Sequence, residues 1–230
     1  MVHDMKLAIF DCDGTLVDSQ NLIVSAMNSA FAGVDRASLP RDRVLSIVGL
    51  SLPLAIEHLL PDAPPTEIAA VTAGYKSAFA ELRADPAAHE PLYEGILDLL
   101  GWLHDHDETL LAIATGKSRR GVDRILQRFD LEGRFVAIST ADEHPSKPHP
   151  SMIEHAMTTS GVAAEHTVMI GDTTFDVAMA RAAGVAAIAV DWGYHPTDQL
   201  SGAGADVIVG STDELSRELA QRWQIPERVS

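Results

Sequence analysis

Five short apolar segments, each long enough for a strand, are set apart by stretches long enough for a helix, and this spacing limits the architectures open to the chain. They cover Leu7-Ala8-Ile9 and residues 110–115, 135–139, 167–170 and 186–190, with 205–209 offering a further short strand at an edge. Apolar strands separated by helix-length segments call for a parallel sheet covered by helices on both faces. The expected class is α/β, a doubly wound, Rossmann-like parallel sheet. Between the first strand and about residue 86 the pattern is helical instead: Leu22, Ile23, Ala26, Met27 and Ala30 recur at helical spacing behind Ser19, a candidate N-cap. Pro40, Gly49, Pro53, Pro61, Pro64 and Pro65 divide this stretch into several short helices. Residues 1–15 and 87–230 are therefore expected to form the sheet core, and 16–86 a small all-helical cap domain inserted after the first strand.

Composition narrows the function. A hydrophobic content of 46% over 230 residues supplies a full core, and the longest apolar runs fall well short of the roughly 18 residues of a membrane span. A net charge of −16 opposes nucleic acid and anionic membranes, since gripping a phosphate polymer takes clustered Lys and Arg. Any phosphate ligand should be small and locally held. The first strand begins almost at once after Met1, which leaves no room for a signal peptide, and the lone cysteine, Cys12, agrees with a reducing compartment. A cytoplasmic protein, monomer or homodimer, is expected.

The first strand runs into Phe10-Asp11-Cys12-Asp13-Gly14-Thr15-Leu16. Side chains alternate along a strand, so Asp11 and Asp13 project toward one space while Cys12 turns away and packs. Two like charges about 4 Å apart repel by ~4 kcal/mol at an effective dielectric near 20. Such a pair wants a metal or a retained proton.

In open α/β sheets ligands bind beyond the carboxyl ends of the strands, and those ends carry the polar exceptions of this chain. The second strand ends in Thr115-Gly116-Lys117-Ser118, a hydroxyl followed by a glycine that lets backbone N–H groups reach an anion. It is not a P-loop, because the required upstream glycine position holds Leu111. Ser118 is a candidate N-cap, and Arg119 and Arg120 follow in the first helical turn, where the dipole disfavours cations; they are solvated at the rim unless an anion lies nearby. Ser146-Lys147-Pro148-His149-Pro150 sets Lys147 on a stiff loop as a candidate for stabilising phosphate charge, with His149 in a loop or capping role. After the fourth strand, Gly171-Asp172-Thr173-Thr174-Phe175-Asp176 offers Asp172 at the mouth of a helix and Asp176 in its first turn, as caps or as the hard oxygen donors Mg²⁺ prefers. His104-Asp105-His106-Asp107-Glu108 reads as a solvated turn, and Trp192-Gly193-Tyr194-His195 either walls the site or caps the core.

Taken in chain order, Asp11–Ser19, Ala114–Ser118, Ser146–Pro148 and Gly171–Asp176 resemble the haloacid dehalogenase-like superfamily, closest to its phosphoglycolate phosphatase-like members with a small helical cap. The resemblance implies a phosphatase acting on a small phosphorylated metabolite, with Asp11 the nucleophile and Asp13 the acid and base. It implies that Thr115 and Gly116 hold the phosphoryl oxygens and that Lys147 neutralises charge. Mg²⁺ would be bound by Asp11, by Asp13 through its backbone carbonyl and by Asp172, with Asp176 orienting that shell. Cap loops of the family carry specificity, which makes Arg43, Gly49 and Ser51 candidate substrate residues and predicts a raised KM for Arg43→Ala. A dehalogenase would not need Asp13. A phosphosugar mutase shares it, and a non-enzymatic phospho-acceptor signalling domain is the remaining alternative.

Overall fold

The computed structural model describes residues 5–84 and 90–228. Six strands, β1 (Lys6–Phe10), β2 (Thr109–Thr115), β3 (Phe135–Thr140), β4 (Thr167–Gly171), β5 (Ala186–Val190) and β6 (Val207–Val209), form one sheet in the order β3-β2-β1-β4-β5-β6. Every pairing is parallel, with Leu7 opposite Leu110 on one side and Thr167 on the other. The chain builds β2 and β3 on one side of β1 and then crosses to β4 on the other. The carboxyl ends of β1 and β4 thus flank the switch point, where such sheets open a crevice.

Strand alternation covers both faces. Leu7 and Ile9 pack with Met152 and Ile153 of α7 (Ser151–Ser160), Ala180 of α8 (Thr174–Ala183) and Leu200 of α9 (Thr197–Ala203). Ala8 and Phe10 pack oppositely, with Leu99 and Leu103 of α5 (Ile96–His104), Val122 of α6 (Arg119–Arg128) and Leu219 of α10 (Thr212–Trp223). Each fully buried Leu, Ile or Phe contributes roughly 1.5–3 kcal/mol, so two continuous apolar layers fix the sheet firmly enough to hold charged groups at its end.

Between β1 and α5 lie α1 (Gln20–Ala32), α2 (Arg41–Leu45), α3 (Leu52–Leu59) and α4 (Pro65–Ala84). They bury a separate apolar cluster, with Ile23, Met27, Phe31, Val44, Ile56 and Val71 at its centre. The prolines act as starts: Pro40 precedes α2, Pro53 sits in the first turn of α3 and Pro65 opens α4, positions where the missing N–H costs nothing. Pro64 and Pro65 therefore open a single 20-residue helix. Phe175, in the first turn of α8, and Tyr194, from the loop after β5, pack against the same cluster. The expected boundary at 86/87 lies outside the described residues. Among those described, no helix is long and apolar enough to cross a membrane.

Candidate active site

Asp11 continues the line of β1: its N–H donates to the Ile170 carbonyl at 2.9 Å, and its Oδ1 accepts the Cys12 N–H at 2.6 Å. Cys12 turns the other way, buried with Val17 and Ile125. The turn that follows needs Gly14, whose φ is +89° and whose absent Cβ would stand 2.1 Å from Asp172 Oδ2. Thr15 then donates its hydroxyl to Asp172 Oδ1 at 2.8 Å.

Three carboxylates meet here. Asp11, Asp172 and Asp176 are buried, and an oxygen of each lies within 4.8 Å of the others. Thr173 caps α8 in a reciprocal box with Asp176, whose Oδ2 accepts from the Thr173 N–H at 3.0 Å and hydroxyl at 2.6 Å. Lys147 reaches in from the loop after β3, with Nζ 2.9 Å from Asp11 Oδ2 and 2.5 Å from Asp176 Oδ1. The lysine is fully buried. Burial lowers its proton affinity, but the two carboxylates outweigh burial and hold it protonated.

One ammonium against three carboxylates leaves two negative charges. Burial raises Asp11, Lys147 opposes that rise, and Asp176 adds to it. Burial likewise pushes Asp172 well above the usual carboxylate range, helped by Asp176 and Asp11, against the Thr15 hydroxyl and the Tyr194 N–H at 2.9 Å. Asp11 Oδ2 accepts no well-directed hydrogen bond despite the nearby ammonium. A divalent cation fits this donor set: it closes the deficit of two, takes hard oxygen ligands and gives Asp11 Oδ2 a partner.

Asp13 lies apart from that trio. Its Oδ1 accepts from the Ser19 hydroxyl at 2.6 Å and from Lys117 Nζ at 2.7 Å, while its Oδ2 makes no hydrogen bond with a described residue. Lys117 Nζ and the Ser19 hydroxyl also reach Glu90 Oε1, both at 3.0 Å, and Arg83 clamps the other oxygen of Glu90. Burial would raise Glu90, but Lys117 and Arg83 outweigh it and hold this carboxyl below its ordinary range. Ser19 does precede α1, but its side chain makes no cap hydrogen bond and serves the two carboxylates instead.

Asp11, Asp13, Thr115 and Gly116 share a cleft of about 440 Å³ with residues of α1, α3 and α4. Thr115 Oγ1 accepts the Lys117 N–H at 3.2 Å, and the Thr115 side chain favours the charged form of Asp11. Gly116 has no room for a side chain, since a Cβ would stand 2.6 Å from the Gly49 carbonyl oxygen. Gly49 and Ser51 belong to the cleft, and the Ser51 N–H donates to the Ser146 hydroxyl at 2.8 Å, beside Lys147. Arg43 is not brought to the site. The buried face of α2 is Val44 and Leu45, which leaves the Arg43 guanidinium exposed and bonded to the His58 carbonyl at 3.4 Å.

The other candidates divide. Trp192 and Tyr194 back the site, Trp192 Nε1 donating to the Thr15 carbonyl and the Tyr194 hydroxyl accepting the Ser19 N–H, both at 3.2 Å. Arg119 pairs with Asp123, His149 Nδ1 accepts the Ser151 N–H, and His106 bonds the Trp102 carbonyl. Sequence reasoning missed Lys117, Glu90 and Arg83. Lys117 carried a signal, two residues beyond Thr115 at a strand end, but Glu90 and Arg83 meet it only through the fold.

Residues 8–190 match the family model described as haloacid dehalogenase-like hydrolase. The chain belongs to this family. A protein of Dickeya dadantii named "Probable phosphatase IndB" is 39% identical over 91% of both chains. A phosphoglycolate phosphatase of Chromobacterium violaceum is 33% identical over 92% of this chain and 95% of its own. The crystal structure of "a predicted phosphatase" from Clostridium acetobutylicum superposes with a TM-score of 0.84 at 27% identity, covering 94% of this hydrolase and 99% of that chain.

Proposed function

We propose that this hydrolase is an Mg²⁺-dependent phosphatase that cleaves small phosphate monoesters through a phosphoryl group carried on Asp11. The observation that carries the reading is the buried trio of Asp11, Asp172 and Asp176, two charges short of neutrality beside Lys147, with Asp11 lining a cleft that also holds Asp13. The names of the relatives support it.

An Asp11 carboxylate oxygen attacks phosphorus, the bond to the ester oxygen breaks, and Asp13 gives that oxygen a proton. Asp13 then takes a proton from water, whose oxygen attacks phosphorus as the bond to Asp11 breaks, releasing phosphate and restoring both carboxyls. With Oδ1 held by Ser19 and Lys117, Asp13 keeps Oδ2 for the proton. Thr115 and the backbone N–H groups around Gly116 hold phosphoryl oxygens, and Lys147 neutralises charge. Bound by the carboxylates of Asp11 and Asp172 and the carbonyl of Asp13, Mg²⁺ would supply positive charge to Asp11 and the phosphoryl oxygens, with Asp176 orienting that shell. The helices of 16–86 act as a cap over a core of 1–15 and 87–230, excluding water while Gly49 and Ser51 face the substrate. The setting of this reaction is the cytoplasm.

Asp11→Asn tests the reading. Phosphate release from a generic ester should vanish, while the metal-free melting temperature should rise, because the change removes one of the two uncompensated charges. Wild-type turnover by the purified variant would overturn the assignment. Transfer of phosphate to a second alcohol in place of release would instead make the enzyme a mutase, and an Asp11 that takes up phosphate without turnover would make it a phospho-acceptor.

A further inference from the structure

The cleft beyond the carboxylates is larger and more apolar than a two-carbon leaving group requires. At about 440 Å³ it falls among the ~300–1,000 Å³ clefts that enclose drug-sized ligands. Its lining includes the buried Ile23, Met27, Val48 and Leu50 and the part-exposed rings of Tyr75 and Phe79, stacked 5.6 Å apart. An entirely polar leaving group would leave the two part-exposed rings unused, whereas an apolar body removes them from water.

The charge of this cleft runs against that of the protein. The chain has 17 Lys and Arg against 33 Asp and Glu, yet five basic residues line the cleft against three acids. Two of those acids, Asp11 and Asp13, are the ones given the phosphoryl chemistry in the proposed reaction, and the third, Asp142, accepts the Arg119 N–H. Arg83 and Lys117 are taken up by Glu90 and Asp13. The other three, Lys76 of α4 and Arg120 and Arg124 of α6, are exposed and make no ion pair or hydrogen bond with a described residue. Arg120 and Arg124 stand four apart, a spacing at which like charges repel, and Arg120 sits in a first turn that disfavours cations. Their neighbour Arg119 avoids the problem by pairing with Asp123.

We propose that the substrate is a phosphate monoester whose leaving group has an apolar, ring-sized body and carries a second anionic group, received by Arg120 and Arg124 with Lys76 of α4 lining the same cleft. This rests on the phosphatase reading and names the substrate class of the same site. The second anion is a carboxylate or a further phosphate.

Four esters separate the terms: phenyl phosphate, phosphoglycolate, 3-(4-phosphonooxyphenyl)propanoate and its methyl ester, with a fifth ring ester carrying a second phosphate in place of the carboxylate. The propanoate should exceed its methyl ester, phenyl phosphate and phosphoglycolate in kcat/KM by about tenfold or more. The doubly phosphorylated ring shows which anion is preferred. The double variant Arg120→Ala/Arg124→Ala, at exposed positions of α6, should bring the acid-to-methyl-ester ratio to within about twofold, through KM and not kcat. Equal turnover of acid and methyl ester, a ratio that survives the double variant, or phosphoglycolate outrunning every ring ester would overturn the proposal. Those outcomes leave the phosphatase reading standing, which fails separately if no ester releases phosphate with Mg²⁺.

Discussion

Two groups of acids meet at the end of this sheet, and they differ in how their charge is balanced. Asp11, Asp172 and Asp176 face a single ammonium, Lys147, and burial with mutual repulsion raises Asp11 and Asp172. Asp13 and Glu90 face two cations, Lys117 and Arg83, and Glu90 is held low despite its burial. One group is built short of positive charge and the other is complete. Acid clusters are therefore better read by the cations that reach them than by the acids alone. The incomplete group is the one a divalent metal would finish, and the balanced group would need none.

The largest test of this contrast is Lys147→Met. Taking from three buried carboxylates the only cation that pairs with them among the described residues should cost about 3–5 kcal/mol in chelator, the usual penalty for breaking a buried pair, and should abolish phosphate release. Saturating Mg²⁺ should restore part of that stability but not activity. Urea unfolding with and without metal reads both. A variant as stable as the wild type in chelator would mean that the trio is not under charge stress.

The balanced group should respond differently. Lys117→Met leaves Asp13 and Glu90 with Arg83 alone and should cost about 1–3 kcal/mol, the penalty of leaving a buried charged group unpaired. Adding Glu90→Gln should recover much of it, since the two residues share one network. Metal at 100 times its Kd should stabilise wild type and both variants alike, by about 2.7 kcal/mol. A metal increment that disappears in Lys117→Met would show that the two groups are one, and the comparison would break.

The same contrast explains what was legible in the sequence. Strand positions could be read because alternation and helix-length spacing leave few other ways to bury Leu7, Ile9 and Phe10, and the sheet follows with a last strand at Val207–Val209. The strand-end residues Asp11, Thr115 and Asp172 could be read because each is a polar exception at the end of an apolar run, and Lys147 because it stands before Pro148 on a stiff loop. Glu90 could not. It lies in a connection, with no periodicity around it, and gains its meaning only when Lys117 and Arg83 close on it across the fold. Ser19 shows the opposite failure, since its local signal as a cap was correct in position and silent about the carboxylates it serves.

The smallest expected effect concerns Arg43. A cap arginine is an attractive partner for an anionic substrate when only the sequence is in view, and on that basis its loss should raise KM. The packing of α2 argues otherwise: Val44 and Leu45 take the buried side, and the guanidinium is left exposed against the His58 carbonyl, outside the cleft that Lys76, Arg120 and Arg124 line. Arg43→Ala should then leave KM for a phosphate ester within about twofold of wild type, inside the range expected of an ordinary surface change. A KM raised tenfold would instead return Arg43 to the substrate and require helices α1–α4 to rearrange when substrate binds.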